Sequence, residues 1–186
     1  MSAVKSAESV QHGELRIRTP CDDDWQAILN LANRSLSEMP GAPSQQEWLD
    51  NRRSYSPSEG IQQHWVAISG DQIIGYACIE HRDNLKLHPP ATEAAHGEYR
   101  LFVVVAPADR ATLGTRLLEL LGRQLVELGA RRVWMTEYEA DTHLVSYLER
   151  IGFVRQTTFQ LPDGTTAVRL IMDAPFQSLA AAQEFR

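Results

Sequence analysis

Residues 103–118 read VVVAPADRATLGTRLL, and this stretch joins an apolar strand to an amphipathic helix through a short loop. The run before the loop is apolar on both faces, which is typical of a strand in the middle of a sheet. The helix that follows carries leucines on one face, at positions 113, 117, 118, 121, 125 and 128. Gly129 is placed to end this helix. The start of such a helix offers unpaired N–H groups and a positive dipole end, which can hold a phosphate.

Further strands and helices are predicted on both sides of this unit. Thr19-Pro-Cys-Asp22 predicts the start of a first helix with Thr19 as its N-cap, and Ser44-Gln-Gln-Glu47 predicts a second helix that runs to about Arg53. Gly70-Asp71 and Pro162-Asp-Gly164 predict hairpin turns, so the strands beside them pair antiparallel. The strand–helix–strand unit over 98–137 requires a right-handed parallel crossover. We expect an α/β (α+β) fold: a mixed, mostly antiparallel central sheet with one parallel strand pair and helices on both faces.

Length and composition predict one folded domain. The chain has 186 residues, of which 43% are hydrophobic and 23% charged, as in ordinary globular proteins. The first residues are small and polar without an apolar segment, and they do not resemble a secretory signal. We expect a flexible tail over 1–13, one domain over 14–173 and a C-terminal tail over 174–186.

Charge and cysteine content argue against several classes of protein. The net charge of −6 disfavours binding to nucleic acid or to an anionic membrane, which both select a basic surface. No apolar run approaches the ~20 residues of a membrane helix. The two cysteines, Cys21 and Cys78, are too few for a disulfide scaffold and favour a cytoplasmic location. The histidines lack the spacing of a zinc motif, so no metal site is expected.

The loop at 109–114 and the later segment from Asp141 to Phe153, taken with the element order, resemble the GCN5-related N-acetyltransferase (GNAT) superfamily over about residues 14–173. The family's cofactor loop reads Gln/Arg-x-x-Gly-x-Gly/Ala. The sequence DRATLG matches its last glycine, Gly114, but departs from it at both Asp109 and Thr112. A second alignment puts Arg110 first, with one residue deleted. The next family motif, Tyr-Glu-Lys-x-Gly-Phe, is matched by LERIGF over 148–153.

This resemblance implies that acetyl-CoA binds between the strands at 98–106 and 131–137. Its pantetheine arm would lie along the backbone of 102–105. Its pyrophosphate would accept hydrogen bonds from the N–H groups of 109–115. In many relatives, a tyrosine at the position of Leu148 protonates the leaving thiolate, and an asparagine is common at the position of Asp141. The implied cofactor-binding residues are Phe102, Val103, Val104, Val105, Asp109, Arg110, Ala111, Thr112, Leu113, Gly114, Thr115 and Asp141.

Three side chains are candidate catalytic residues, and each has a plainer interpretation. Glu98 is spaced before the loop like the general base of the histone-acetylating relatives, and we expect it near the point where the sheet opens; it is otherwise a strand-end acid. Glu137 would attract a cationic amine, or is a solvated acid. Tyr147 stands one residue, or ~100° of helix rotation, from the usual position of the general acid, which favours a core residue.

The resemblance implies an acyl-CoA-dependent N-acyltransferase that carries acetyl groups from acetyl-CoA directly to a primary amine of a small molecule or amino acid. Two alternatives stay open. One is a catalytically weak acyl-CoA-binding or regulatory module with the same fold, which the departures at Thr112 and Leu148 favour. The other is an acetyltransferase for lysines of proteins or peptides. The expected partner is a small-molecule amine, and a homodimer is a candidate assembly.

Overall fold

The computed structural model describes residues 14–36, 62–81, 97–106, 109–161 and 164–180. The predicted tail over 1–13 and the predicted helix over 44–53 lie outside the described residues. The elements are β1 (Leu15–Arg18), a 3-10 turn (Asp22–Asp24), α1 (Trp25–Leu36), β2 (Gln62–Ser69), β3 (Gln72–His81), β4 (Glu98–Val105), α2 (Arg110–Glu127), β5 (Arg132–Tyr138), α3 (Thr142–Arg150), β6 (Val154–Gln160), β7 (Thr166–Asp173) and α4 (Gln177–Ala180).

The described strands form one seven-stranded sheet in the order β1-β2-β3-β4-β5-β7-β6. Strands β4 and β5 are parallel, and every other adjacent pair is antiparallel. The predicted turn at Gly70 is present, with φ of 61° between paired Ser69 and Gln72. The predicted fold class, a mostly antiparallel mixed sheet with one parallel pair, is confirmed.

Helices cover the sheet on both faces, and each face has its own apolar core. On what we call the α2 face, α2 packs on β3 and β4, α3 on β5 and α4 on α2. The residues of β4 in this core are Tyr99, Leu101, Val103 and Val105. On what we call the α1 face, α1 packs on β2 and β3 and on Phe102 and Val104 of β4. Because side chains alternate along a strand, Glu98 and Arg100 share the α1 face with Phe102 and Val104.

The start of α2 lies very close to the sheet. A Cβ added to Gly75 of β3 would lie 2.9 Å from Leu113 Cδ2 of α2 and 3.2 Å from Leu117 Cδ1. Only a glycine permits this approach without a shift of one of the two elements. The glycine therefore fixes the N-terminal turns of α2 beside the carboxyl end of β4.

The first helix begins later than its sequence predicts. A 3-10 turn precedes α1, and the N-cap of this turn is Cys21 rather than Thr19. The Asp24 carboxylate accepts a hydrogen bond from the Cys21 N–H at 2.7 Å and another from Arg18 Nη2 at 3.0 Å. The Arg18 guanidinium, with help from the Cys21 backbone, holds the pKa of Asp24 well below its ordinary value. This ion pair and backbone contact shift the start of the helix.

The C-terminal segment packs further than predicted. Phe176 and Leu179 are 1% and 0% exposed and belong to the core of the α2 face. The Ala174 N–H donates to the Arg131 carbonyl at 2.9 Å. The packed domain therefore continues past the predicted boundary at 173, and the predicted tail contains a packed helix.

Candidate active site

The parallel pairing of β4 with β5 is short. Its three pairs are Glu98–Arg132, Tyr99–Val133 and Arg100–Trp134. Beyond Arg100, β4 stays paired with β3 as far as Val105, and β5 stays paired with β7 as far as Tyr138. The two strands therefore follow different neighbours, and a wedge opens between them toward their carboxyl ends. We call this wedge the β4–β5 opening; its narrow end lies at Arg100 and Trp134.

Helix α2 begins at the wide end of the opening. Its N-cap, Asp109, makes no side-chain capping hydrogen bond, and its own N–H donates to the Ala106 carbonyl at 2.9 Å. The N–H groups of the first turn have no acceptor within the helix. They are therefore available to a ligand bound at the opening. The positive end of the helix dipole lies at the same point, where it favours an anion such as a phosphate.

Gly114 lies in the second turn of α2, and apart from its chain neighbours and the adjacent helix backbone no described atom stands within 4 Å of the position that a Cβ would take there. A glycine inside a helix costs about 1 kcal/mol relative to alanine. Internal packing explains Gly75 but gives no reason for Gly114. A bare backbone at this turn suits the close approach of a ligand to α2, so the residues present fit a phosphorylated cofactor.

The other residues predicted to bind the cofactor divide into two groups. The backbone of Phe102–Val105 borders the opening, and Thr112 is exposed on the first turn of α2. In contrast, Leu113 is 3% exposed in the core of the α2 face. Asp141 caps α3, because its Oδ1 accepts the Leu144 N–H at 3.1 Å. The side chains of Leu113 and Asp141 therefore have structural roles.

Glu98 lies at the closed end of the wedge, which corrects the expectation that it stands where the sheet opens. The opening begins two residues later at Arg100, about 7 Å along the strand. Glu98 is 8% exposed, and its Oε1 lies 3.7 Å from Arg132 Nη1. Arg132 also donates to Asp173 at 2.6 Å, which holds the pKa of Asp173 below its ordinary value. Any action of Glu98 at the narrow end therefore needs an intervening water.

The structure does not bring the three candidate catalytic residues together. Glu137 lies five residues beyond Arg132 on β5, about 16 Å further along the strand. It also alternates onto the α2 face with Val133 and Met135, opposite to Glu98. Tyr147 is 4% exposed, and its hydroxyl lies 3.2 Å from Thr115 Oγ1. The catalytic roles of these residues stay predictions.

Sequence reasoning missed a cluster at the narrow end. The guanidinium carbons of Arg100 and Arg169 lie 5.5 Å and 5.0 Å from the centre of the Trp134 ring. We call these three side chains the arginine–tryptophan stack. Arg100 Nη1 also lies 3.7 Å from Oε2 of buried Glu80. A signal was present in the sequence: each arginine interrupts an apolar strand, where a charge is costly without a specific role.

Other parts of the described surface do not join this site. A cavity of about 510 Å³ lies between α2 and strands β1 and β2, lined by Ile17, Arg18, Thr19, Trp65, Arg116, Glu119, Leu120 and Arg123. It borders the side of α2 that faces strands β1 and β2, away from β5.

Among the described residues, no group of histidine, cysteine, aspartate or glutamate side chains has the arrangement of a metal site. None of the described helices is long and apolar enough to span a membrane.

A parallel pair that opens toward a helix N-terminus defines an α/β protein with a site that suits an extended, phosphorylated ligand. The sequence profile of the Acetyltransferase (GNAT) family matches residues 25–153 of this chain. The chain belongs to this family. This membership confirms the predicted superfamily and the predicted class of enzyme, which is an N-acetyltransferase. It also confirms acetyl-CoA as the co-substrate.

Solved structures share the fold at low sequence identity. An N-acetyltransferase from Staphylococcus aureus Mu50 is 14% identical with a TM-score of 0.68, over 87% of this chain and 99% of that one. The protein yncA from Salmonella typhimurium, solved with its cofactor acetyl-CoA, is 14% identical with a TM-score of 0.64, over 86% and 93%. AAC(6')-Ib, solved with paromomycin and acetyl-CoA, is 20% identical with a TM-score of 0.65, over 91% and 97%. No curated protein sequence matches the chain.

The isolated glycine in α2 gives the first prediction. Gly114→Ala should raise the free energy of unfolding of the protein alone by about 0.5–1 kcal/mol, because alanine is the better helix former and nothing described obstructs its methyl group. The same change should weaken CoA binding by about tenfold or more, and Gly114→Val should abolish the rise in melting temperature that CoA produces. Denaturant titration and thermal unfolding with and without CoA measure both effects. A normal CoA-induced shift in the valine variant would mean that the phosphates bind elsewhere.

The buried contact between Tyr147 and Thr115 gives the second prediction. Tyr147→Phe and Thr115→Val each break the same hydrogen bond. Each should therefore lower the free energy of unfolding by about 1 kcal/mol. If Tyr147 is structural, kcat should fall by less than about tenfold in either variant, since loss of a general acid typically costs about 10² to 10⁴. A thousandfold loss of kcat in Tyr147→Phe alone would identify Tyr147 as the acid.

Proposed function

We propose that this protein transfers an acetyl group from acetyl-CoA directly to the primary amine of a small molecule. The observation that carries the proposal is the β4–β5 opening, whose pairing ends at Arg100 and whose wide end meets the start of α2. A split of this kind leaves room for an extended chain to lie along β4. The fold neighbour AAC(6')-Ib, whose structure holds both paromomycin and acetyl-CoA, supports a small-molecule acceptor.

Each part of the cofactor has a matching feature in the chain. The phosphates would meet the N–H groups of the first turns of α2 and the bare backbone at Gly114. The backbone of Phe102–Val105 would hold the pantetheine arm in the manner of an added strand. The acyl end would then lie at the narrow end, beside Arg100 and Trp134. Leu148 is fully buried in the core, so this position of α3 supplies no acid.

When bound, acetyl-CoA would supply an activated acyl carbon: the amine forms the C–N bond and the C–S bond breaks. The ammonium gives up two protons as it becomes an amide, one to a base before the attack and one that balances the proton gained by the thiolate. The chain must orient the amine and receive its proton. Glu98 faces the narrow end from the closed side, on the α1 face. We propose that it takes the proton through one water. The α1 face is therefore the side from which the acceptor approaches.

An acyl-CoA-binding or regulatory module is the second candidate. It is favoured by the hydrogen bond that engages Tyr147 with Thr115, together with the burial of Leu148, because neither side chain then stands ready as a general acid. We give it the lower rank because a CoA thiolate is a weak base that can leave without a positioned acid.

The cellular setting that we propose is the cytoplasm. Cys21 and Cys78 form no disulfide.

Release of CoA thiol from acetyl-CoA tests the proposed function. The purified chain is mixed with acetyl-CoA and a panel of small primary amines, and thiol is followed over time against a blank without amine. The proposal predicts amine-dependent release and the matching acetylated amine by mass spectrometry. CoA binding without turnover on any amine would favour the binding module, and turnover on intact proteins alone would favour the protein acetyltransferase.

The placement of Glu98 gives a third prediction. Glu98→Gln should lower kcat/KM near neutral pH by about a hundredfold or more, which is within the usual range for a general base. The deficit should shrink as pH rises toward the pKa of the amine, since uncharged amine then arrives without help. Affinity for CoA should not change.

Asp173→Asn is the matched control for this variant. It removes the other carboxylate that contacts Arg132 but leaves Glu98 in place. Its kcat/KM and pH profile should stay close to those of the parent chain. Near-normal activity of Glu98→Gln at pH 7 would make Glu98 a structural partner of Arg132 and nothing more.

A further inference from the structure

The sheet extends past the helix that covers the middle of its α2 face. Helix α2 packs on β3 and β4, so the outer strands β1 and β2 lie beside the helix rather than beneath it. Ile17 of β1 pairs in register with Ala67, a residue of the α2-face core, and therefore lies on the same face. The step between helix and outer strands is the cavity of about 510 Å³, which is within the usual size range of small-molecule sites.

The cavity has an apolar lining that the fold covers only in part. Ile17 is 38% exposed, although it is a large aliphatic side chain. Trp65 of β2 and Leu120 of α2 line the same space, and both are half-buried. Trp65 packs against the core of the α2 face, which anchors its ring. An indole beside two aliphatic side chains gains most from a ligand with a flat, aromatic body, because such a body covers the largest apolar area.

The helical wall of the cavity carries a surplus of positive charge. Arg116 and Arg123 are seven residues apart on α2, so they lie on one side of the helix, about 10 Å apart along its axis. Within the described part of the chain, neither arginine forms an ion pair or hydrogen bond, and neither does Glu119 between them. Arg18, on the strand side, is neutralised by its ion pair with Asp24. Two unpaired arginines and one acid leave a single positive charge, in a protein whose net charge is −6.

We infer that this cavity is a second binding site and that its ligand is an aromatic carboxylate. A guanidinium pairs with both oxygens of a carboxylate and also stacks on aromatic rings. Glu119 on the same wall repels a doubly charged group such as a phosphate monoester, so the ligand carries one negative charge. Its ring covers Ile17 and Trp65, and its carboxylate is held by the arginines of α2.

This site does not depend on the proposed function. The cofactor would use the backbone of 102–105 and the first turns of α2, whereas the cavity is lined by later residues of α2 and by β1 and β2. The two sites share a helix but no residue. Cofactor and aromatic carboxylate can therefore bind at the same time.

An NMR titration of the full chain in excess CoA tests the inference. The probe is 2-naphthoate, and the matched probe is 2-naphthamide, which has nearly the same shape without the charge. Naphthoate should shift the amide resonances of 16–19 and 116–123. It should bind about three- to tenfold more tightly than naphthamide, which is the range that two exposed ion pairs give. About 0.5 M salt should remove most of this preference, because exposed charges are screened.

Three variants separate the charged from the apolar part of the site. Arg116→Gln combined with Arg123→Gln should reduce the preference to less than about twofold, and because both side chains are exposed the protein should stay folded. Ile17→Ser should weaken both probes alike, by about threefold, because it removes apolar surface only. Arg155→Gln removes an exposed cation on β6, at the opposite edge of the sheet, and should keep the full preference.

Several results would overturn the inference. These are no binding of naphthoate, equal affinities for the two probes, or an unchanged preference in the folded double variant. Displacement of naphthoate by CoA would mean that the cavity belongs to the cofactor site. Shifts of the same amides with protein concentration alone would mean that a second copy of the chain occupies it. Naphthoate binding at the cavity without any binding of CoA would contradict the proposed function and leave this inference standing.

Discussion

Three backbone pairs hold β4 and β5 together, and the rest of the site depends on where this pairing stops. A strand inside a sheet normally pairs along its whole length, because its N–H and C=O groups need partners. Here each strand finds a full-length partner on its other side, β3 for β4 and β7 for β5. The two halves of the sheet therefore follow different neighbours beyond Arg100, and the gap between them is a place where an extended ligand can bind.

The two faces of the sheet divide the work that the proposed reaction requires. The α2 face supplies the tight approach at Gly75, the packed leucines of α2 and the buried contact between Thr115 and Tyr147. These interactions hold the start of α2 rigidly at the wide end of the opening. The α1 face carries the charged and aromatic side chains at the narrow end. Cofactor and acceptor would thus meet at the narrow end, the cofactor along the gap from its wide end and the acceptor from the α1 face.

Local patterns in the sequence were sufficient for most of the fold. The apolar run of β4, the leucines of α2 and the glycine at 129 define the central unit without reference to distant residues, and Gly129 does adopt a positive φ of 62°. The start of α1 could not be read in this way, because Asp24 reaches back to Cys21 and to Arg18. Helix α4 is four residues long, too short to show a helical period.

The site was less accessible to sequence reasoning than the fold. The extent of the β4–β5 pairing follows from what β3 and β7 do, so no pattern within β4 shows that the sheet opens at Arg100 rather than at Glu98. The arginine–tryptophan stack joins residues of three different strands, of which β7 is far along the chain from β4. A lone arginine in an apolar strand signals such a contact but does not identify its partner.

Hydrogen–deuterium exchange of the β4 amides, measured with and without CoA, tests the central claim most directly. If the β4–β5 opening holds the cofactor, saturating CoA should slow exchange at residues 102–105 and in the first turns of α2. Exchange in β2 and in the outer strand β6 should not change. Slower exchange confined to the cavity between α2 and strands β1 and β2, with none in β4, would contradict the account.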